Sequence, residues 1–315
     1  MNFHDSKKRY KIIEELNTGG SDRRFFRCLK GDRKYILILD KDIQTYLRLQ
    51  KHLFNRDIGV PKIYKIDKKT NLVIVEDLGE DSIYKLVAKN RRNIYQLYQP
   101  AIEELVKLQI DGFPNVPISV YYDYEHIKWE QDYFIRFFLH QFCRIPLQDL
   151  RTLNADFKHL AERLIEESRT ISSFLMHRDY QSQNIYIKNG RVRIIDFQSA
   201  RIGPLTYDLA ALLKDPYVNI AKKLETKLIE YYLKCIRKRG VEIEKKKFLE
   251  IYQLTGLQRN MQVLGAFANL SLNKNKSHFK QYIPRGLKLL KAGLPNRRFK
   301  QLAKIVNTIK IKNGL

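Results

Sequence analysis

The chain has 315 residues, enough for one large two-lobed domain or two smaller ones, and its hydrophobic content of 44% is ordinary for a globular protein. Its net charge is +25, but Lys and Arg run along the whole length, interleaved with acids such as Glu14-Glu15 and Glu103-Glu104; a solvated basic surface is therefore favoured over a nucleic-acid face. Cys28, Cys143 and Cys235 lie too far apart for a CxxC pair, no apolar leader opens the chain, and the uncharged run 260–273 is too short and polar to span a bilayer, so reduced thiols and a soluble, cytoplasmic protein are expected.

In chain order, β-compatible runs come first, at 12–16 and 24–29, separated by Asn17-Thr18-Gly19-Gly20-Ser21-Asp22. Lys30-Gly31-Asp32-Arg33 turns into a third run at 35–39. Ile43, Tyr46, Leu47, Gln50, Leu53 and Phe54 keep helical spacing, ending near Gly59 and Pro61. A strand pair, 62–66 and 72–75, leads into Glu76-Asp77-Leu78-Gly79. Helical spacing then dominates at 82–89, 95–109, 126–142 and 156–173, with Trp129, Tyr133, Phe134, Phe137 and Phe138 expected in the core.

Next comes the most informative stretch, His177-Arg178-Asp179-Tyr180-Gln181-Ser182-Gln183-Asn184, followed by Ile195-Asp196-Phe197. It reads H-R-D-x-x-x-x-N and then D-F, a pattern tied to phosphoryl transfer. Between the two motifs, two short β-prone runs flank Asn189-Gly190, a dipeptide suited to a two-residue hairpin because both positions tolerate φ > 0. A two-residue loop pairs Lys188 with Arg191 and, counting back, Ile185 with Ile194 and Asn184 with Ile195. Asn184 and Asp196 then leave the same end of the hairpin, roughly 5–8 Å apart. An amide oxygen beside a carboxylate suits Mg²⁺, and Asp179, just upstream, is placed to orient a hydroxyl and take its proton. Helices follow at 205–213, 220–237, 248–272 and 286–292. A basic last helix, 297–310, is expected to dock on the body through Phe299, Leu302, Ile305 and Ile309 rather than on a membrane.

The early order β-β-β-α-β-β is that of the small nucleotide-binding lobe of kinase-like folds. In that setting Gly19, Gly20 and Ser21, with Arg23 next to them, can bring donors to phosphates, and Glu76, Asp77 and Leu78 form a hinge whose backbone can hold adenine. Two glycines at a hairpin tip are by themselves usually just a turn. One feature is missing: protein kinases place a lysine in the third strand and a glutamate in the next helix, whereas 35–39 holds no lysine and 43–54 no glutamate. Lys34, Lys41, Arg23 and Arg24 are the candidates to substitute.

With these motifs, the chain resembles the aminoglycoside phosphotransferase-like superfamily of small-molecule kinases, and within it the bacterial anomeric N-acetylmuramate/N-acetylglucosamine kinases of cell-wall recycling. The likeness covers most of the chain and is carried by Gly20-Ser21-Asp22-Arg23-Arg24-Phe25-Phe26-Arg27, the 76–79 and 177–184 segments, Asp196-Phe197-Gln198, Gly203-Pro204 through Asp208, and Gln258-Arg259. It implies an α+β, bilobal protein-kinase-like fold, with a nucleotide-binding lobe at 1–77 bearing a small antiparallel sheet and a helical lobe at 78–315. It further implies ATP and Mg²⁺, a sugar acceptor, a monomer, Asp179 as base, and Asn184 and Asp196 as metal ligands. Asp208 and His177 would support the catalytic loop, and Arg259 would meet the sugar or form a structural salt bridge.

Three rivals are weighed by what they require. A protein kinase needs a long activation segment and a glycine after D-F; here only 198–203 precede the next helix and Gln198 takes the glycine's place. Another small-molecule kinase of the superfamily, acting on an aminoglycoside, choline or another sugar, is a stronger rival; aminoglycosides are cations and favour an acidic pocket, less natural in a +25 chain. A nucleic-acid-binding pseudokinase would have lost Asp179, Asn184 or Asp196, and all three are present.

Overall fold

The structure, a computed structural model, describes residues 10–16, 23–90, 93–171, 173–294 and 298–311. They form two compact units, Met1–Ile118 with Gln183–Ser199, and Ser119–Ser182 with Ala200–Leu315. The division expected between 77 and 78 falls inside the first unit, because the residues that follow are tied to the hairpin at 185–194: Ser82 bridges Tyr186, and Ile187 N–H donates to the Asp81 carbonyl at 2.9 Å.

The first unit is built on an antiparallel sheet of β1 (Lys11–Leu16), β2 (Arg24–Lys30), β3 (Arg33–Leu39), β4 (Ile63–Asp67) and β5 (Leu72–Glu76), in the order β1-β2-β3-β5-β4. Side chains alternate across it, so Phe26, Cys28, Leu37, Leu72 and Ile74 collect in one cluster with Tyr10. The helix Ile43–Phe54 starts at Asp42, whose carboxylate accepts from Gln44 N–H, and buries Ile43, Tyr46, Leu49 and Leu53. Phe54, read from spacing as part of that stripe, is exposed, and Leu49 is buried instead.

The hairpin of β7 (Ile185–Lys188) and β8 (Arg191–Ile194) has the expected register, Lys188 to Arg191 through Ile185 to Ile194. Asn189 and Gly190 both have positive φ, 51° and 72°, as its two-residue turn requires. Gly59 locks β8 in place. Its carbonyl accepts from Ile194 N–H at 2.7 Å and its N–H donates to Glu104 at 2.5 Å, and a Cβ there would sit 2.1 Å from the Val192 carbonyl oxygen. Backbone cannot yield as a flexible side chain can, so Gly59→Ala is expected to destabilise the protein by about 1–3 kcal/mol or more. Urea unfolding measures this; a midpoint equal to that of the parent would show that β8 is not seated on Gly59.

The second unit is mainly helical. The helix Lys245–Asn273 is buried on almost every side from Leu254 to Leu264, and the helices Leu205–Leu213, Tyr124–Tyr133 and Ile283–Gly293 pack around it. The run expected as one helix over 126–142 changes at Phe134 into a π-helix, Phe134–Phe142, whose Phe134 and Phe138 enter the core. Trp129 does not: it is 49% exposed, stacked between His126 and Tyr133 on the outer side. The last helix, Lys300–Thr308, docks through Leu302 and Val306, flanked by Phe299 and Ile309. Two three-residue strands without a sequence signal, β6 (Phe174–Met176) and β9 (Arg201–Gly203), pair on either side of the catalytic segment in the chain. Among the described residues no helix is long and apolar enough to cross a membrane.

Candidate active site

In the second unit, the backbone just after β6 is held by a buried carboxylate. Asp208, in the first turn of the helix Leu205–Leu213, accepts from His177 N–H at 2.7 Å and Arg178 N–H at 2.8 Å. Burial pushes Asp208 up to about 7, against the pull of those two donors. Arg178 adopts φ 76°, so the chain turns sharply there and the two N–H groups converge on one side chain. Asp215 holds the other end of the loop: it accepts from Ser182 N–H at 2.9 Å and Ser182 Oγ at 2.5 Å. The sequence reading passed over Asp215, which stands two residues after the apolar run 209–213.

Between these anchors lies Asp179, its side chain 38% exposed. Arg259 donates from Nη2 to Asp179 Oδ1 at 3.0 Å and to Gln181 Oε1 at 3.4 Å, and it is nearly inaccessible itself. Its other terminal nitrogen bonds Gln262, and its guanidinium lies over Tyr207 at 5.9 Å. Burial pushes Asp179 up, but Arg259, Arg178 and His177 outweigh it and hold the carboxyl below the usual carboxylate range. Arg259 is therefore a partner of the Asp179 carboxylate.

A depressed folded-state pKa makes both ionisation and its stabilising contribution present above the unfolded value and lost as pH falls through the folded one. Removing Arg259 leaves burial less opposed, so Arg259→Met is expected to move the acid limb of the kcat–pH profile to higher pH, with Arg259→Lys moving it less. Stopped-time assays across acid pH would show the shift; superimposable acid limbs would mean that Asp179 does not depend on Arg259.

Beneath this loop sits a polar cluster that sequence reading also missed. Glu130 is fully buried and accepts from Tyr122 at 3.0 Å, Tyr207 at 2.8 Å and Gln258 at 3.1 Å. Gln258 also donates to the Ile127 carbonyl and accepts from Gln131, so it joins helices. Helical spacing marked the whole stretch as apolar core, and one glutamate on it gave no sign of its buried partners.

The first unit carries the other half of the motif. Ile195 N–H donates to the Asn184 carbonyl at 3.0 Å, which continues the β7–β8 pairing by one residue, and Asp196 follows with φ 65°. Left-handed backbone is tolerated by Asp better than by most residues. Gln198 Nε2 donates to Asp196 Oδ1 at 3.2 Å, and Phe197 stacks on Tyr46 with ring centroids 5.0 Å apart. An amide and a carboxylate at one end of one hairpin offer hard oxygen donors, which fits Mg²⁺; among the described residues no cluster of His, Cys, Asp and Glu offers a fuller cage.

At the hinge, side chains are committed to structure. Glu76 pairs with Lys188 at 3.0 Å and with Arg193, both from the catalytic hairpin. Asp77 accepts from Arg27 at 2.7 Å and from Gly79 N–H at 2.8 Å, while Leu78 is buried. The Asp77 carbonyl accepts from Lys188 Nζ at 2.5 Å. Gly19, Gly20 and Ser21 lie outside the described residues.

A sequence model described as the phosphotransferase enzyme family matches residues 12–237. A protein of Pseudomonas aeruginosa named N-acetylmuramate/N-acetylglucosamine kinase is 26% identical over 90% of this chain and 85% of its own. One of the same name from Neisseria meningitidis is 27% identical over 89% and 84%. Among solved structures, an ethanolamine kinase of Plasmodium vivax superposes with a TM-score of 0.65 at 16% identity, covering 96% of this chain and 86% of that one. At that identity the likeness shows the fold alone: the α+β, kinase-like fold with an antiparallel sheet and a mainly helical remainder.

Proposed function

The chain belongs to the phosphotransferase enzyme family, and we propose that it transfers the γ-phosphate of ATP to the anomeric C1 hydroxyl of N-acetylmuramate or N-acetylglucosamine. The observation that carries the chemistry is the Asp179 carboxylate, kept ionised by Arg259 on a loop pinned by Asp208 and Asp215. The acceptor is supported by the two kinases matched over more than four-fifths of their own length.

In this reading Asp179 accepts a hydrogen bond from the sugar hydroxyl, aligns its oxygen with the γ-phosphorus, and takes the proton as the new P–O bond forms. The bond from the γ-phosphorus to the bridging oxygen breaks, and ADP leaves. Asn184 and Asp196 would hold Mg²⁺, which when bound offsets charge on the transferring and leaving oxygens. The hinge backbone at Glu76, Asp77 and Leu78 would receive adenine, with the Glu76 side chain left to brace the β7–β8 hairpin. Asp179 needs no covalent intermediate, and Arg259 contributes through it; a lactyl carboxylate on Arg259 would compete with that ion pair.

ADP release measured against N-acetylmuramate, N-acetylglucosamine, glucose, an aminoglycoside, choline and ethanolamine tests the acceptor. Turnover confined to the two N-acetylated sugars is expected. Turnover with an amino alcohol or aminoglycoside and none with the sugars would overturn the acceptor while leaving phosphotransfer intact.

A further inference from the structure

We propose that Arg23 is the cation that anchors the donor's phosphates, aimed by Asp40, and that this pair replaces the lysine and glutamate which protein kinases place on the third strand and the following helix. The assignment rests on the phosphotransfer reading above but not on the identity of the acceptor.

The pair that protein kinases use is absent here. The helix Ile43–Phe54 contains no acidic residue, and the only lysine on β3 is Lys34, an exposed residue at its first end. The register of the sheet says what takes its place. Arg24 on β2 pairs with Leu39 on β3, so Arg23, one residue before, comes level with Asp40, one residue after. Arg23 Nε donates to Asp40 Oδ2, and its Nη1 lies 4.0 Å from Asp196 Oδ1. Asp40 is itself fixed, because its Oδ1 accepts from Asp42 N–H at 3.1 Å, just where the helix Ile43–Phe54 is capped.

Burial and donor number suit the task. The Arg23 and Asp40 side chains are 21% and 13% exposed, so their charges are less screened than those of surface residues. With Nε committed to Asp40 and Nη1 facing Asp196 at 4.0 Å, the outer edge of the guanidinium remains to meet a phosphate oxygen, a geometry for which arginine is well shaped. A lysine would have to meet both partners from a single nitrogen, without the planar fork. The rival cations are placed otherwise. Arg24 alternates to the opposite side and is bound by Glu15 at 2.9 and 3.1 Å. Lys34 lines a cleft of about 550 Å³ beside Glu76, Asp77 and Leu78, at the end of β3 away from Asp40, and Lys41 is exposed.

Calorimetric titration of ATP with Mg²⁺, and separately of adenosine, tests the assignment without any acceptor. Loss of a charge-assisted contact should weaken ATP binding by about tenfold to a hundredfold in Arg23→Ala. Adenosine should bind as in the parent, Arg23→Lys should recover part of the loss, and Arg24→Ala should change neither ligand. Asp40→Asn should weaken ATP binding less than Arg23→Ala, since the guanidinium remains but is less well aimed. ATP binding unchanged in Arg23→Ala overturns the assignment alone. So does a parallel loss of adenosine affinity, the sign of a merely structural role. A parent that binds no ATP would overturn the phosphotransfer reading and this assignment with it.

Discussion

Asp179→Asn should lower kcat by roughly 10²–10⁴, the range for removing a positioned general base. The substitution is nearly isosteric. Its amide oxygen can still accept from Arg259, which now reaches Asp179 Oδ1 at 3.0 Å, so the loop should keep its place. The anchors of that loop are Asp208 on the His177 and Arg178 N–H groups and Asp215 on Ser182, and neither involves the Asp179 side chain. What the amide cannot do is take a proton. Affinity for ATP should change little, because Asp179 is assigned to the acceptor and not to the metal. Rapid-quench measurement of the chemical step separates this from slow product release. Turnover near the parent's in a folded Asp179→Asn protein would remove the residue from the mechanism.

Asp196→Asn should act on the other substrate. A metal-bound carboxylate contributes several kcal/mol to stabilising charge in the transition state, which corresponds to about a 10²–10³-fold loss in kcat. Asn tolerates the same left-handed backbone, φ 65° at this position, so the β7–β8 hairpin and the stacking of Phe197 on Tyr46 should survive. The readout apart from turnover is the Mg²⁺ dependence of ATP binding. In the parent, added Mg²⁺ should tighten ATP; in Asp196→Asn most of that gain should vanish, and Asn184→Ala should lose it in part, with Mn²⁺ restoring some. If both variants titrate Mg²⁺ as the parent does, the ligand assignment fails even though the hairpin register stands.

The parts of this architecture that were legible in the sequence are those set by local chemistry. Asn189-Gly190 fixed a two-residue turn, and from it every pair of the hairpin followed, down to Ile185 with Ile194. Apolar alternation found the strands of the five-stranded sheet, and helical spacing found the helix Leu205–Leu213 to the residue. Long-range partnership was not legible. Nothing near Glu130 announces that Tyr122, Tyr207 and Gln258 converge on it, and nothing near Asp215 announces Ser182. Trp129 shows the limit of periodicity: aromatic residues three and four apart were read as one buried stripe, yet its ring stacks on His126 outside the core. The β6–β9 pair is too short for any period to show. Arg23 sits between these cases. Its residue type was visible, but only the β2–β3 register separates it from Arg24.

The most direct test of the central claim is phosphorus–proton correlation NMR on the product formed from ATP and N-acetylmuramate or N-acetylglucosamine. Transfer to the anomeric hydroxyl predicts a phosphorus coupled to H1 and loss of the reducing end in step with ADP release. A phosphorus coupled to the C6 protons, with the reducing end intact, would contradict it.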